Sequence, residues 1–408
     1  MGFESGRVSY CRFNAVGDSP SLVDATILAS LAEGAFKEQE FGAPEELEVG
    51  WITGKHLYDT QFEYEKNGFN HLLLFAMRVD TNRVPGDVKQ AYRQMQEQLA
   101  LSGKEGGFLS KTDKKDAHEE ADRLLRDELA SGKFRRSKAV PILWDLQHQQ
   151  VYCGALNNTA TELICKRFRD CFNINLEPLT SGVIAGNYMR AKGKTRDYED
   201  IRATGFTGPP TGTTIDHEDA SGPQDLAIPY CPWVANAIDL KDFLGNEFLI
   251  WLWWITEAHE GLVNVETPRG EEQIALVIDK ALEMECAWGV TGKQTLRGDK
   301  PSRLPEAGDA LLNGKWPRKA SMIVADVAGD IQWELSLQSD RMCISGASLP
   351  DYPDAETPRE RIEERLLAVK QLSDVFDGLY QRFLSDRIGD KWLVKSQKIR
   401  EWIKGRIE

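Results

Sequence analysis

The longest uninterrupted apolar run in this chain is eight residues, Phe248 to Ile255. A membrane-spanning helix needs about twenty, so no membrane partner is expected. No charged-then-apolar signal segment opens the chain. The Met1-Gly2 start lacks the Ser or Thr at position 6 that myristoylation requires, since Gly6 stands there. These absences predict a soluble, cytoplasmic protein.

Cysteine pairs and clustered histidines are also missing. The seven cysteines, at 11, 153, 165, 171, 231, 286 and 343, include no Cys-x-x-Cys spacing, and their number is odd. They read as reduced thiols serving as small apolar residues. Of the six histidines, none lies three to five residues from another. Neither a metal site nor a cofactor is therefore expected.

Catalytic signatures are absent as well. Gly292-Lys293-Gln294 departs from a phosphate loop, because Gly289 is too close and Gln294 replaces the metal-binding hydroxyl residue. No H-E-x-x-H or G-x-S-x-G occurs. Asp326, Asp330 and Glu334 are near enough in sequence to suggest a divergent metal-dependent nuclease, but spacing on a strand and turn does not make them converge. The chain reads as a binding protein and not an enzyme.

Positive charge is scarce overall: 50 Lys and Arg stand against 64 Asp and Glu, a net −14. That balance opposes nucleic-acid binding, which needs a positive surface. Binding depends on local distribution, however, and the basic residues cluster. Lys133, Arg135, Arg136 and Lys138 surround Phe134. Lys166, Arg167 and Arg169 surround Phe168. Lys315, Arg318 and Lys319 surround Trp316. A fourth group lies within 391–408. Each alone is a solvated face; together they nominate the first three clusters as DNA-phosphate contacts.

With 408 residues and 41% hydrophobic content, two or three modules are expected. An α/β module spans 1–185 and is interrupted by a helical hairpin arm over 86–137. A loop-rich insertion covers 186–240, and an α+β module ending in helices covers 241–408. Ser21-Leu22-Val23-Asp24 predicts a helix start. Leu124, Leu125 and Leu129 are expected along the seam of the arm, whose polar faces cannot be buried. Phe108, an aromatic on the arm's glycine loop, and Phe134 at its root are candidate dimer contacts. The segment around Phe248 and Trp251 to Trp254 is apolar nearly all round, which predicts a core helix over a base-stacking platform.

The order of several short motifs resembles the bacterial recombination-associated RdgC family. Met1-Gly2-Phe3 matches its Met-x-Phe start, and Gly50-Trp51 its Gly-Trp pair. Pro85-Gly86-Asp87-Val88-Lys89-Gln90 matches its helix opening. Phe134-Arg135-Arg136 and Trp144-Asp145 take the places of its Phe-Ser-Arg-like turn and Trp-bearing strand, although the family's preceding Pro is missing and Gly132 stands nearby. Gly314-Lys315 leading into Ala320-Ser321-Met322 matches its Gly-Lys strand. The likeness is closest over 1–185, and residues 186–300 have no counterpart. It implies an α+β fold with mixed or antiparallel sheets and a protruding arm. It also implies a ring-shaped homodimer around mainly double-stranded DNA, contacting phosphates without sequence preference and restraining a recombinase in the nucleoid. The alternative is a protein-interaction module of a mobile element that no longer binds DNA.

Overall fold

Trp333, Leu335 and Leu337 alternate with polar neighbours, a period that only an extended strand can place on one face. They occupy the strand Ile331–Gln338 in the computed structural model of the chain, and all three are buried. The structure describes residues 2–38, 45–102, 108–210, 228–328, 331–351 and 355–406. Among these the fold is α+β, with thirteen β-strands and eleven α-helices. The expected class, with antiparallel sheet, is observed. No helix among the described residues is long and apolar enough to cross a membrane.

The chain divides into two compact units, which cut across the sequence-order modules. The smaller comprises Gly17–His148 and Thr159–Asn175; the larger comprises Met1–Val16, Gln149–Asn158 and Leu176–Glu408. The first strand and the C-terminal half thus belong to one unit, because strand pairing ignores sequence distance.

In the smaller unit the strands Arg135–Asp145, Leu72–Asn82 and Leu47–Ile52 lie side by side, and the short Gly68–Phe69 pairs onto Leu72–Asn82. One sheet face carries Trp51, Phe75 and Trp144. The helix Asn158–Phe172 covers it through Phe168, whose ring centroid lies 5.6 Å from Trp51 and 5.3 Å from Trp144. On the opposite face Phe36 packs with Ile52 and Ala76. Gly50 permits that packing, since a Cβ there would stand 2.3 Å from the Phe36 Cα. The helix Ala25–Glu33 is capped by Asp24, whose carboxylate accepts the Ile27 N–H at 2.9 Å. Ser21 is therefore not the cap.

The arm consists of Gly86–Ser102 and Lys111–Ala130. Ser110 and Asp113 form a capping box on the second helix. The seam is filled by Ala117, Ala121 and Leu125, with Leu124 and Leu129 only half-buried. Polar contacts complete it: Tyr92 donates to Glu128 at 2.5 Å, and His118 meets Glu97 at 2.6 Å. The first arm helix has no buried residue and exposes Met95 and Leu99.

In the larger unit the strands run in the order Gln294–Gly298, Gly270–Cys286, Lys315–Asp326, Ile331–Gln338, Cys343–Ala347, Val8–Val16 and Gln150–Cys153. The helix Phe243–Ala258 buries every residue from Phe243 to Ile255. Phe248 packs on Tyr380 and Phe383 of the helix Pro358–Arg387, at 5.1 and 5.7 Å. This is the sandwiched core helix that the sequence predicts. The same long helix grips the first strand, where the buried Arg12 guanidinium meets Asp377 in a bidentate pair at 2.6 and 2.5 Å. The helix Ser181–Ala191 runs into 186–240, and further helical segments there are Thr195–Asp200 and Pro232–Asn236. Residues 211–227, with the acidic run Asp216-His217-Glu218-Asp219, lie outside the described residues.

One expectation about cysteine is overturned. Cys11 and Cys343 form a disulfide on the adjacent strands Val8–Val16 and Cys343–Ala347. Their separation of 332 residues hid the pair from any reading of local spacing. Cys153, Cys165, Cys171, Cys231 and Cys286 are not disulfide-bonded. Reduction, or Cys343→Ala, is expected to lower stability by about 2–4 kcal/mol, measured by urea unfolding with and without reductant.

Candidate nucleic-acid interface

A strand sends successive side chains to opposite faces, and this divides the first basic cluster. In the smaller unit, Arg136 pairs opposite Thr81 and Lys138 opposite Val79, on the face that also carries Phe75 and Trp144. Arg135 points to the other face. There its Nε donates to Asp80 at 2.8 Å and its Nη2 to Glu48 at 2.7 Å. Asp80 also accepts two hydrogen bonds from Arg78, at 2.8 and 2.7 Å. Burial pulls the Asp80 carboxyl upward, but hydrogen bonds from Arg78, Ser137 and Arg135 outweigh it and hold it below the usual carboxylate range. Arg135 is consumed in this network and offers little charge to a phosphate.

Lys133 sits in the turn before the strand and forms an ion pair with Glu128 of the arm. Its ammonium lies 5.9 Å from the ring centre of the half-buried Phe134. Arg136 and Lys138 are exposed, and among the described residues neither has an ion-pair partner. On the helix Asn158–Phe172, Lys166 and Arg169 are exposed, and Arg169 donates to the Asn175 side chain at 2.9 Å. Arg167 turns inward, donating to the Gly34 carbonyl at 2.7 Å. The helix covers the sheet face to which Arg136 and Lys138 point. That face therefore bears Arg136, Lys138, Lys166 and Arg169 as available cations.

Beside the arm's root is a cleft of about 920 Å³ lined by Glu46, Arg83, Lys89, Glu119, Asp122 and Arg126, among others. Its acidic and basic side chains balance, so it makes no phosphate channel. Phe108 is 89% exposed.

The third cluster belongs to the larger unit. Arg318 is held between Glu285 at 2.8 Å and Asp340 at 2.5 Å, over the Trp233 ring. Lys315 donates to Gln294 at 2.9 Å, and Lys319 is half-buried. Gly314 turns the chain into this strand at φ +72°, against Trp288, so the Gly-Lys motif marks a turn. In the C-terminal group, Lys395 pairs with Asp386 and Arg406 with Glu257.

Of the carboxylates considered for a nuclease, Asp326 and Glu334 do not converge. Asp330 lies outside the described residues. Glu334 pairs opposite Ile323, three residues from Asp326, so Asp326 and Glu334 face opposite sides of their hairpin. Asp326 accepts the Ala328 N–H at 3.1 Å, and Glu334 is paired with Lys280 and Arg7. Shifted pKa values in a cleft would mark a catalytic centre. Asp242 is pushed up to about 6 by burial, yet it accepts the backbone N–H groups of Gly182 at 2.8 Å and Asp239 at 3.2 Å. It serves as a chain fastening. One ligand-like group does assemble where spacing predicted none: His71, Asp145 and His148 meet in the smaller unit.

Compared with protein-family models and with curated proteins, the chain matches none.

The Asp80 network gives a test. Asp80→Asn leaves Arg78 without its buried counter-charge and is expected to cost about 3 kcal/mol at neutral pH. A carboxyl held below its ordinary value of about 4 stabilises the fold fully above that pH, and the benefit fades as pH falls through the lower, folded value. The variant's penalty should therefore shrink in acid, as read by urea unfolding at neutral and acidic pH.

Proposed function

We propose that the chain is a sequence-independent DNA-binding protein of the RdgC kind, which encircles duplex DNA as a ring-shaped homodimer and restrains recombinase filaments. The observation that carries this reading is one sheet face of the smaller unit. It bears the exposed Arg136 and Lys138, two residues apart on one strand, together with Lys166 and Arg169 on the helix that covers it. Two residues on one side of a strand stand about 6.5 Å apart. These long cationic side chains suit phosphate oxygens and present no arrangement for base edges. A net charge of −14 fits weak, salt-sensitive binding, since steering depends on the local field. The exposed Met95, Leu99 and Phe108 of the arm support a protein contact there, which in this reading is the second protomer.

Arg136→Ala with Lys138→Ala is expected to weaken all DNA sequences alike and to flatten the slope of affinity against salt by roughly one to two units. A fluorescence-anisotropy titration at two salt concentrations measures this. Unchanged affinity in the folded double variant would remove this face from the interface. A parent protein without DNA binding would leave the interaction module as the reading.

The native mass is expected near twice 45.9 kDa, and Phe108→Ser should shift it toward the monomer in light scattering. A monomeric parent at micromolar concentration would defeat the ring.

A further inference from the structure

We propose that His71, Asp145 and His148 form a binding site for a divalent d-block cation, zinc above all. The site lies at one end of the smaller unit's sheet. Asp145 ends the strand Arg135–Asp145 and pairs opposite Leu72, so His71 and the turn after Asp145 are neighbours by register. The Leu146 N–H donates to the His71 carbonyl at 2.9 Å, and Asn70 supplies the left-handed φ of +57° that turns His71 toward the strand end.

The Asp145 side chain is 1% exposed, and a buried carboxylate needs compensation. Its Oδ1 accepts the His148 backbone N–H at 3.1 Å, and its Oδ2 lies 2.9 Å from His148 Nδ1. His71 Nε2 stands 3.9 Å from Oδ1. One nitrogen from each imidazole and one carboxylate oxygen all lie within 4.8 Å of one another. Capping of a turn explains Asp145 and His148 alone. It does not call for a second imidazole aimed at the same carboxylate.

Two imidazole nitrogens and one carboxylate oxygen favour zinc and its d-block neighbours over magnesium or calcium, which take oxygen ligands. Without a thiolate, the set does not suit copper(I). Three protein ligands leave a fourth tetrahedral position for water. Donors of one tetrahedral zinc stand about 3.3–3.5 Å apart, so the set must close by about 1 Å. The His148 side chain, 54% exposed, has room to make that movement. A cation on His148 Nδ1 needs that nitrogen unprotonated, so any proton it carries leaves to solvent on binding. None of this rests on DNA binding.

The test uses the full chain, stripped with chelator and titrated with zinc chloride by calorimetry, with cobalt(II) as the optical probe. One zinc per chain at micromolar affinity or tighter, with tetrahedral cobalt absorption, is expected. His71→Ala and His148→Ala should each weaken zinc binding by about ten-fold or more, while His118→Ala in the arm leaves it unchanged. His148→Ala keeps the backbone N–H on Asp145 and alters a half-exposed ring, so it decides the question even if His71→Ala does not fold. A folded parent that takes up no zinc, or a His148→Ala variant that binds as the parent does, would overturn the site.

Discussion

The pleat of the strand Arg135–Asp145 is the constraint on which the smaller unit's surface chemistry depends. Odd-numbered residues, from Arg135 to Asp145, share one face, and even-numbered ones share the other. One register therefore decides three things. Arg135 goes into the ion network with Asp80 and Glu48. Arg136 and Lys138 stay with the Trp144 face, whose apolar part the helix Asn158–Phe172 covers. Asp145 reaches the sheet end beside His71 and His148. Slipping that strand by one residue would reverse all three.

Much of the fold was legible in the sequence because periodicity is a local signal. The core helix Phe243–Ala258 and the long helix Pro358–Arg387 follow from three- and four-residue apolar steps, and the arm helices from a long charged stretch between two strands. What was illegible is non-local. Val8–Val16 pairs with Cys343–Ala347, and no window along the chain brings those segments together. The Cys11–Cys343 bond and the grouping of His71 with His148 were hidden for the same reason. The basic clusters were visible as composition, but composition does not show which members turn inward.

The sorting within those clusters has a chemical basis. Arg135, Arg167 and Arg318 are drawn into internal contacts, while Lys138 and Lys166 remain in water. A guanidinium is more weakly hydrated than an ammonium, offers donors in a rigid fork and stacks on rings. Arg318 does this over Trp233, and Arg406 does so over Trp253 and Trp402. An aromatic beside an arginine in sequence is thus as readily a sign of internal pairing as of a nucleic-acid surface. The exposed Arg136, whose flanking residues face the opposite side, shows the other outcome.

The first strand of the larger unit has a consequence for synthesis on the ribosome. Val8–Val16 lies between Gln150–Cys153 and Cys343–Ala347, and its Arg12 is neutralised by Asp377. A nascent chain that has emerged to residue 200 can offer this strand Gln150–Cys153 and the short Asn175–Pro178, but not Cys343–Ala347. Its arginine must then wait in water for a partner about 365 residues downstream. Such pairing gives the larger unit a high contact order and slow closure. Until Cys343–Ala347 has emerged, the part of the strand that it covers is an open edge of the kind that draws other chains. The smaller unit, whose strands all lie within residues 47–145, can close long before.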